Sequence, residues 1–244
     1  MGDDDRRFDT RSVIAGIDSP RDSGDVITPI HVSSTYQIPG LSEEMDLMGL
    51  DPDEGEYVYS RISNPTRNAL ENKLASLEGG EEAFAFASGT AAVFTTIMAT
   101  VRPGDHVVAF DDLYGGTKKM LQQVVADRLN IAITFVDARD TDAVAEAVRE
   151  ETELILETPT NPLLKLCDIE SIAEIADAHG IPLAVDNTFA SPCFQRPLEL
   201  GADVSVASTT KYLNGHSDSV GGAVVLDDGE FAERIQFMQQ VGMG

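Results

Sequence analysis

Tryptophan is absent from the 244-residue chain, and cysteine, histidine and lysine are scarce. Each shortage excludes something. The two cysteines, Cys167 and Cys193, make no CxxC pair and no zinc spacing, so free thiols in a reducing compartment are the simplest reading. The four histidines, His31, His106, His179 and His216, lie far apart without an HExxH or similar pair, and no metal site is expected. No apolar run is long enough to cross a bilayer, and the N-terminus carries charge where a signal peptide would carry an apolar core. Only five of the 17 basic residues are lysines: Lys73, Lys118, Lys119, Lys165 and Lys211.

Acid, in contrast, is abundant. Aspartate and glutamate number 42, so the net charge is 17 − 42 = −25. Such an excess argues against nucleic acid or an anionic membrane as partner, because phosphate binding needs cations. The charge is spread along the chain, as in Asp3–Asp5, residues 42–46 and residues 149–153, rather than gathered in one acidic tail. With 42% hydrophobic residues the composition is otherwise that of a globular protein. The expectation is a halophile's cytoplasmic protein, since at molar salt the Debye length falls to about 3 Å and surface carboxylates repel one another less.

Residues 1–56 carry scattered Gly and Pro with little periodicity and read as an extended N-terminal arm; residues 57–244 read as one large domain. A helix starts at Asn64–Pro65 and stops at Gly79–Gly80, with Ala69, Leu70, Leu74 and Leu77 as its apolar stripe. Beyond it lie seven short apolar runs: residues 83–88, 106–110, 131–137, 154–158, 182–187, 204–208 and 222–226. An amphipathic helical pattern comes after each of the first four. That alternation predicts an α/β fold with a mostly parallel seven-stranded sheet covered on both faces. Ligands in such folds bind beyond the carboxyl ends of the strands, which directs attention to the residues just after each run.

Four strand ends carry chemistry. Ser88-Gly89-Thr90 sits between a strand and a helix, where main-chain N–H groups and the helix dipole suit a phosphate; alone, it is equally a capped turn. Asp186 ends an apolar strand, where a carboxylate needs a cation or hydrogen bonds; it could equally cap the turn into Asn187-Thr188. Ser208 and Thr210 flank the approach to Lys211, whose amine, if partly desolvated, has a lowered pKa and is nucleophilic; a surface lysine is the ordinary alternative. Tyr114, followed by two glycines, can lie over an open site or simply half-bury at a loop. Taken together, a Schiff-base lysine, a carboxylate for a pyridinium nitrogen, a phosphate cradle and a stacking aromatic describe a site for pyridoxal 5'-phosphate.

The stretches "YSRISNPTRNALENKLASLEGGEEAFAFASGTAA", "DDLYGGT", "ETPTNPLLKLCDI", "AVDNTFASP" and "STTKYLNGHSDSVGGAVV" closely resemble the Cys/Met-metabolism PLP-dependent enzymes, the cystathionine γ-synthases, γ-lyases and their relatives. The resemblance runs from about Ser33 onward and implies the large domain of a fold type I PLP-dependent transferase. It implies that Lys211 attaches the cofactor and moves protons, that Asp186 pairs with the pyridine nitrogen, and that Tyr114 stacks on the ring and serves in acid–base work. It further implies that Ser88, Gly89, Thr90, Ser208 and Thr210 hold the phosphate, with Asn161 near the cofactor's phenolic oxygen. Tyr59 and Arg61 stand where the family reaches across to a neighbouring subunit's phosphate, implying a homodimer and, at full length, a tetramer. Thr90 replaces a methionine or leucine common there, a change a main-chain contact survives. The implied substrates are small molecules: cystathionine or a homoserine ester, processed by γ-elimination or γ-replacement. O-acetylhomoserine sulfhydrylase is the nearest enzymatic alternative, and a non-catalytic PLP-binding remnant the alternative of another class. The family continues into a C-terminal small domain bearing an arginine for the substrate carboxylate, and the expectation is that this chain, ending at Gly244, lacks it.

Overall fold

The computed structural model describes residues 6–17, 25–37, 55–150, 152–227 and 229–243. Along the chain stand α1 (Phe8–Ile14), α2 (Pro65–Glu78), β1 (Glu82–Phe86), α3 (Gly89–Thr100), β2 (His106–Phe110), α4 (Gly115–Met120), α5 (Asp127–Leu129), β3 (Ala132–Val136), α6 (Thr141–Ala147), β4 (Thr152–Glu157), α7 (Ile169–His179), β5 (Leu183–Asp186), α8 (Ser191–Phe194), β6 (Val204–Ala207), β7 (Gly222–Leu226) and α9 (Gly229–Met238). Between α4 and α5 the helix continues through Leu121–Ala126 as a π-helical turn.

The seven strands form one sheet in the order β1-β7-β6-β5-β4-β2-β3. Strand β7 runs antiparallel to both of its neighbours, β1 and β6, and every other adjacent pair is parallel. The expected mostly parallel α/β sheet is therefore present, with its strands near the expected positions.

Side-chain alternation explains how the sheet is covered on both faces. On one face of the β1–β7 edge, Ala83, Ala223 and Val225 pack with Leu74 and Ala75 of α2. On the other, Phe84, Phe86, Val224 and Leu226 join the main core with Ile97 of α3 and Phe231 and Ile235 of α9. All five residues of β2 are buried, including Phe110. Each such full burial of a Val, Leu, Ile or Phe side chain stabilises by about 1.5–3 kcal/mol.

Helix α2 starts as its sequence dictates. The Asn64 side chain accepts the Thr66 N–H at 2.8 Å, Pro65 fills the first helical position, and Gly79 closes the helix at φ 84°. Its inward stripe differs from the expectation. Leu70 is exposed, and Glu71 and Glu78 are buried beside Leu74 and Leu77. Both carboxylates have partners that a hydropathy pattern does not reveal: Glu71 accepts from the Ala85 N–H and the Gln239 amide, and Glu78 from Asn187 and Ser205.

The N-terminal segment is also more regular than expected. Residues 8–14 form α1, where Lys73 Nζ donates to the Ser12 and Val13 carbonyls at 3.2 Å each. Farther on, Thr35 bridges Tyr59 and the His31 N–H donates to Thr66 Oγ1. The remainder of the proposed arm, residues 1–5, 18–24 and 38–54, lies outside the described residues.

Candidate active site

The carboxyl ends of β1, β4, β5 and β6 bring most of the expected residues together. Ser88 follows β1 in extended conformation and caps α3, its side chain accepting the Ala91 N–H at 3.1 Å. Gly89 opens α3 hard against the loop after β6. A Cβ at Gly89 would lie 2.6 Å from Ser208 Cβ and 2.9 Å from Ser208 Cα, so only glycine permits this approach. Thr90 is exposed in the first turn of the same helix. The N-terminus of that 12-residue helix thus lies close to the Ser208 loop.

Thr210 ties that loop to the start of β7. Its Oγ1 donates to the Gly221 carbonyl at 3.2 Å and accepts the Gly221 N–H at 3.0 Å, while Ser208 Oγ donates to the same carbonyl at 3.5 Å. Lys211 is held by its backbone, through its N–H to the Ser208 carbonyl at 3.2 Å and its own carbonyl from Gly215 at 2.8 Å. Its side chain is exposed. Among the described residues Lys211 is exposed, so the partial desolvation expected of it is not seen there.

Asp186 ends β5 beside this loop. Both Thr188 N and Thr188 Oγ1 donate to its Oδ1, at 3.0 and 2.5 Å, and the Ser208 N–H donates in turn to Thr188 Oγ1 at 2.7 Å. Asp186 thus serves in the turn, as one sequence reading held, and is also wired to the Ser208 loop. Burial pushes its carboxyl above the usual range, the two Thr188 bonds pulling the other way. No arginine or lysine among the described residues forms an ion pair with it.

The neighbouring strand ends in a second carboxylate. Glu157 of β4 stands in register with Asp186 and is 4% exposed. Its Oε2 accepts the Tyr114 main-chain N–H at 2.5 Å. Its carboxyl is pushed up to about 8, chiefly by burial and then by the charge of Asp186, against the main-chain N–H groups of Tyr114 and Asn161. Tyr114 immediately precedes α4 and is 49% exposed. Its ring lies over Gly116, where a Cβ would meet Tyr114 Cε1 at 2.4 Å. Asn161 is half-buried in the loop after β4. That loop is anchored by Thr160 Oγ1 donating to Asp112 at 2.6 Å and by the Lys165–Asp111 ion pair at 3.0 Å.

Tyr59 and Arg61 stand apart from this group. The Arg61 guanidinium lies 5.6 Å from the Tyr59 ring centroid and donates to the Gln240 carbonyl, so within this chain the pair contacts the C-terminal segment rather than Ser88, Ser208 or Thr210. Sequence reading assigned no role to Thr188 or Glu157. Both lie in stretches it singled out, but their roles come from strand register and from hydrogen bonds across loops, which a linear pattern does not display. Among the described residues, no group of histidine, cysteine and acidic side chains is arranged to hold a metal ion, and no helix is long and apolar enough to cross a membrane.

The arrangement offers a helix start against a hydroxyl-bearing loop, a half-buried carboxylate with no ion-pair partner among the described residues, an exposed amine and an aromatic ring. The start of α3, held close against the Ser208 loop, and the Asp186 carboxylate, without an ion-pair partner among the described residues, both suit a phosphorylated heteroaromatic cation. Comparison with known proteins agrees. The family model described as Cys/Met metabolism PLP-dependent enzyme matches residues 9–244. A probable cystathionine gamma-synthase of Herpetosiphon aurantiacus is 47% identical over 233 residues, 95% of this chain and 69% of that protein. A cystathionine gamma-lyase of Bacillus subtilis is 46% identical over 231 residues, 94% of this chain and 58% of that protein. The crystal structure of metB from Corynebacterium glutamicum superposes with a TM-score of 0.90 at 38% identity, covering 100% of this chain and 61% of that one. The chain therefore spans between 58% and 69% of the length of these relatives.

Proposed function

This chain belongs to the Cys/Met metabolism PLP-dependent enzyme family, and on that premise we propose that it carries the cofactor half of a trans-sulfuration site acting on cystathionine or an O-acylhomoserine. The observation that carries the reading is the hydrogen-bonded line from the Ser208 N–H through Thr188 to Asp186, which joins the lysine loop to a half-buried carboxylate without a cation among the described residues. Pyridoxal phosphate, when bound, supplies the electron sink that makes a substrate α-proton removable.

The chain's residues do the rest. The N–H groups opening α3 and the hydroxyls of Ser88, Ser208 and Thr210 bind the phosphate, and Gly89 lets the backbone approach it. Asp186 in its ionised form pairs with a protonated ring nitrogen, and Thr188 favours that ionised form. Tyr114, half-exposed at its loop, would stack on the cofactor ring. Lys211, exposed at its loop, provides the amine that attaches the cofactor and afterwards carries protons between substrate carbons. Asn161 orients the phenolic oxygen and the substrate carboxylate.

A second copy completes the site in this reading. Arg61, which within this chain donates to the Gln240 carbonyl, and Tyr59 beside it would serve the phosphate site of a neighbouring subunit. The exposed thiol of Cys193 accords with a reducing, cytoplasmic setting, and the net charge of −25 with a salt-rich one. The two relatives named above carry different activity names at nearly the same identity, so synthase and lyase are separated by assay. The chain, with any adjoining coding sequence restored, is supplied with cystathionine, with O-succinylhomoserine plus cysteine, and with O-acetylhomoserine plus sulfide. Turnover of either of the first two supports the reading. Turnover of the third alone makes it a sulfhydrylase, and cofactor uptake without turnover of any makes it a non-catalytic binder.

A further inference from the structure

Glu157 is the buried carboxylate of this site that the proposed function leaves without a task. It closes β4, is 4% exposed, and sits in register with Asp186 on the adjacent strand. Burying a second carboxyl group there is costly unless its oxygens are satisfied by hydrogen bonds. Its Oε2 accepts the Tyr114 N–H at 2.5 Å, and the Asn161 N–H also stabilises its charge. One side chain therefore joins the loop after β2, which carries Tyr114, to the loop after β4, which carries Asn161.

Tyr114 has few other restraints. Its side chain makes no capping hydrogen bond to α4, and its ring is 49% exposed, steadied by contact with Gly116. Its N–H lies outside the helix and has no backbone partner in it, so the carboxylate is what satisfies that donor. With its carboxyl pushed up to about 8, Glu157 can accept this bond through a carboxyl oxygen in either protonation state, and the bond fixes the residue from which the ring projects. We propose that Glu157 is a positioning residue: by accepting the Tyr114 main-chain N–H it sets where the Tyr114 ring stands over the cofactor ring. The second half of that statement rests on the functional reading above; the first half stands on the hydrogen bond itself.

Two measurements on residues 1–244 test it. The first is exchange of the Tyr114 amide hydrogen in the cofactor-free chain. Protection should fall by about tenfold or more in Glu157→Ala, as expected when a buried donor loses its hydrogen-bond acceptor, and should persist in Glu157→Gln, whose amide oxygen still accepts. Glu157→Asp, which keeps the charge on a shorter arm, should also lose protection and serves where the alanine variant does not fold. The second is the dissociation constant of added pyridoxal phosphate. Glu157→Ala should weaken it about tenfold in the parent chain and less than about twofold in a Tyr114→Ala background, because the effect passes through the ring. Glu157→Gln should stay within about threefold of the parent. Equal weakening in both backgrounds, or unchanged amide protection in the alanine and aspartate variants, overturns the proposal. A parent chain that takes up no pyridoxal phosphate overturns the functional reading and the ring half with it, while amide exchange still decides whether Glu157 holds Tyr114.

Discussion

Replacing Thr188 with valine keeps the shape of the side chain and removes one hydroxyl. That hydroxyl makes two hydrogen bonds, donating to Asp186 Oδ1 at 2.5 Å and accepting the Ser208 N–H at 2.7 Å. The first involves a group that can be charged and contributes about 1.5–3 kcal/mol; the second is neutral and contributes about 1 kcal/mol. Thr188 is half-buried, so water replaces part of what is lost, and the expected cost is about 2 kcal/mol, somewhat below the low end of the sum. With a urea dependence of about 3 kcal/mol per molar, the unfolding midpoint of the cofactor-free chain should fall by roughly 0.7 M. Thr188→Ser keeps the hydroxyl and should lose less than half as much. Thr188 also holds the Asp186 carboxyl down against burial, so the valine variant should leave Asp186 more often protonated and bind pyridoxal phosphate more weakly at neutral pH. A valine variant as stable as the parent, or a serine variant as damaged as the valine one, would refute the hydrogen-bonded line on which the site is built.

Two further outcomes are expected. Burial pushes the Glu153 carboxyl up to about 8 from its usual 4.5, so the fold favours its protonated form; its stabilising contribution is full below pH 4.5 and is lost as pH rises toward 8. Glu153→Gln should accordingly flatten the decline of the urea midpoint between pH 5 and pH 8, and an unchanged slope would count against a buried titrating Glu153. The net charge of −25 predicts that the melting temperature rises as KCl is taken from about 0.1 M to molar concentrations, where screening is nearly complete; a melting temperature that is flat or falls with KCl contradicts the salt-adapted reading.

Strand positions were readable because buried parallel strands are short apolar runs bounded by helical or turn patterns, and β2 and β7 coincide with the runs at 106–110 and 222–226. The reversal of β7 was not readable, since a strand buried on both faces has the same pattern in either direction. The apolar stripe assigned to α2 failed at Leu70 because two buried glutamates, each satisfied by partners distant in sequence, occupy the inward face. At the site, Ser88, Gly89, Asp186, Ser208 and Thr210 were visible because strand ends concentrate polar residues after apolar runs. Glu157 and Thr188 were not: their partners, Tyr114 and Ser208, lie on other loops and meet them only through sheet register. Lys211 was visible as a residue, but its exposure depends on which elements cover its loop, and its own neighbours in sequence do not determine that.

The most direct test of the account is chemical labelling of the lysines. The chain is loaded with pyridoxal phosphate, reduced with borohydride, digested, and the modified peptide is identified, alongside a Lys211→Ala variant. The account predicts that the label falls on Lys211, that the visible absorption of the bound cofactor disappears in the variant, and that Lys118, Lys119 and Lys165 stay unmodified at stoichiometric loading. A label on one of those three in the parent chain, or an unchanged visible absorption in the variant, would contradict it.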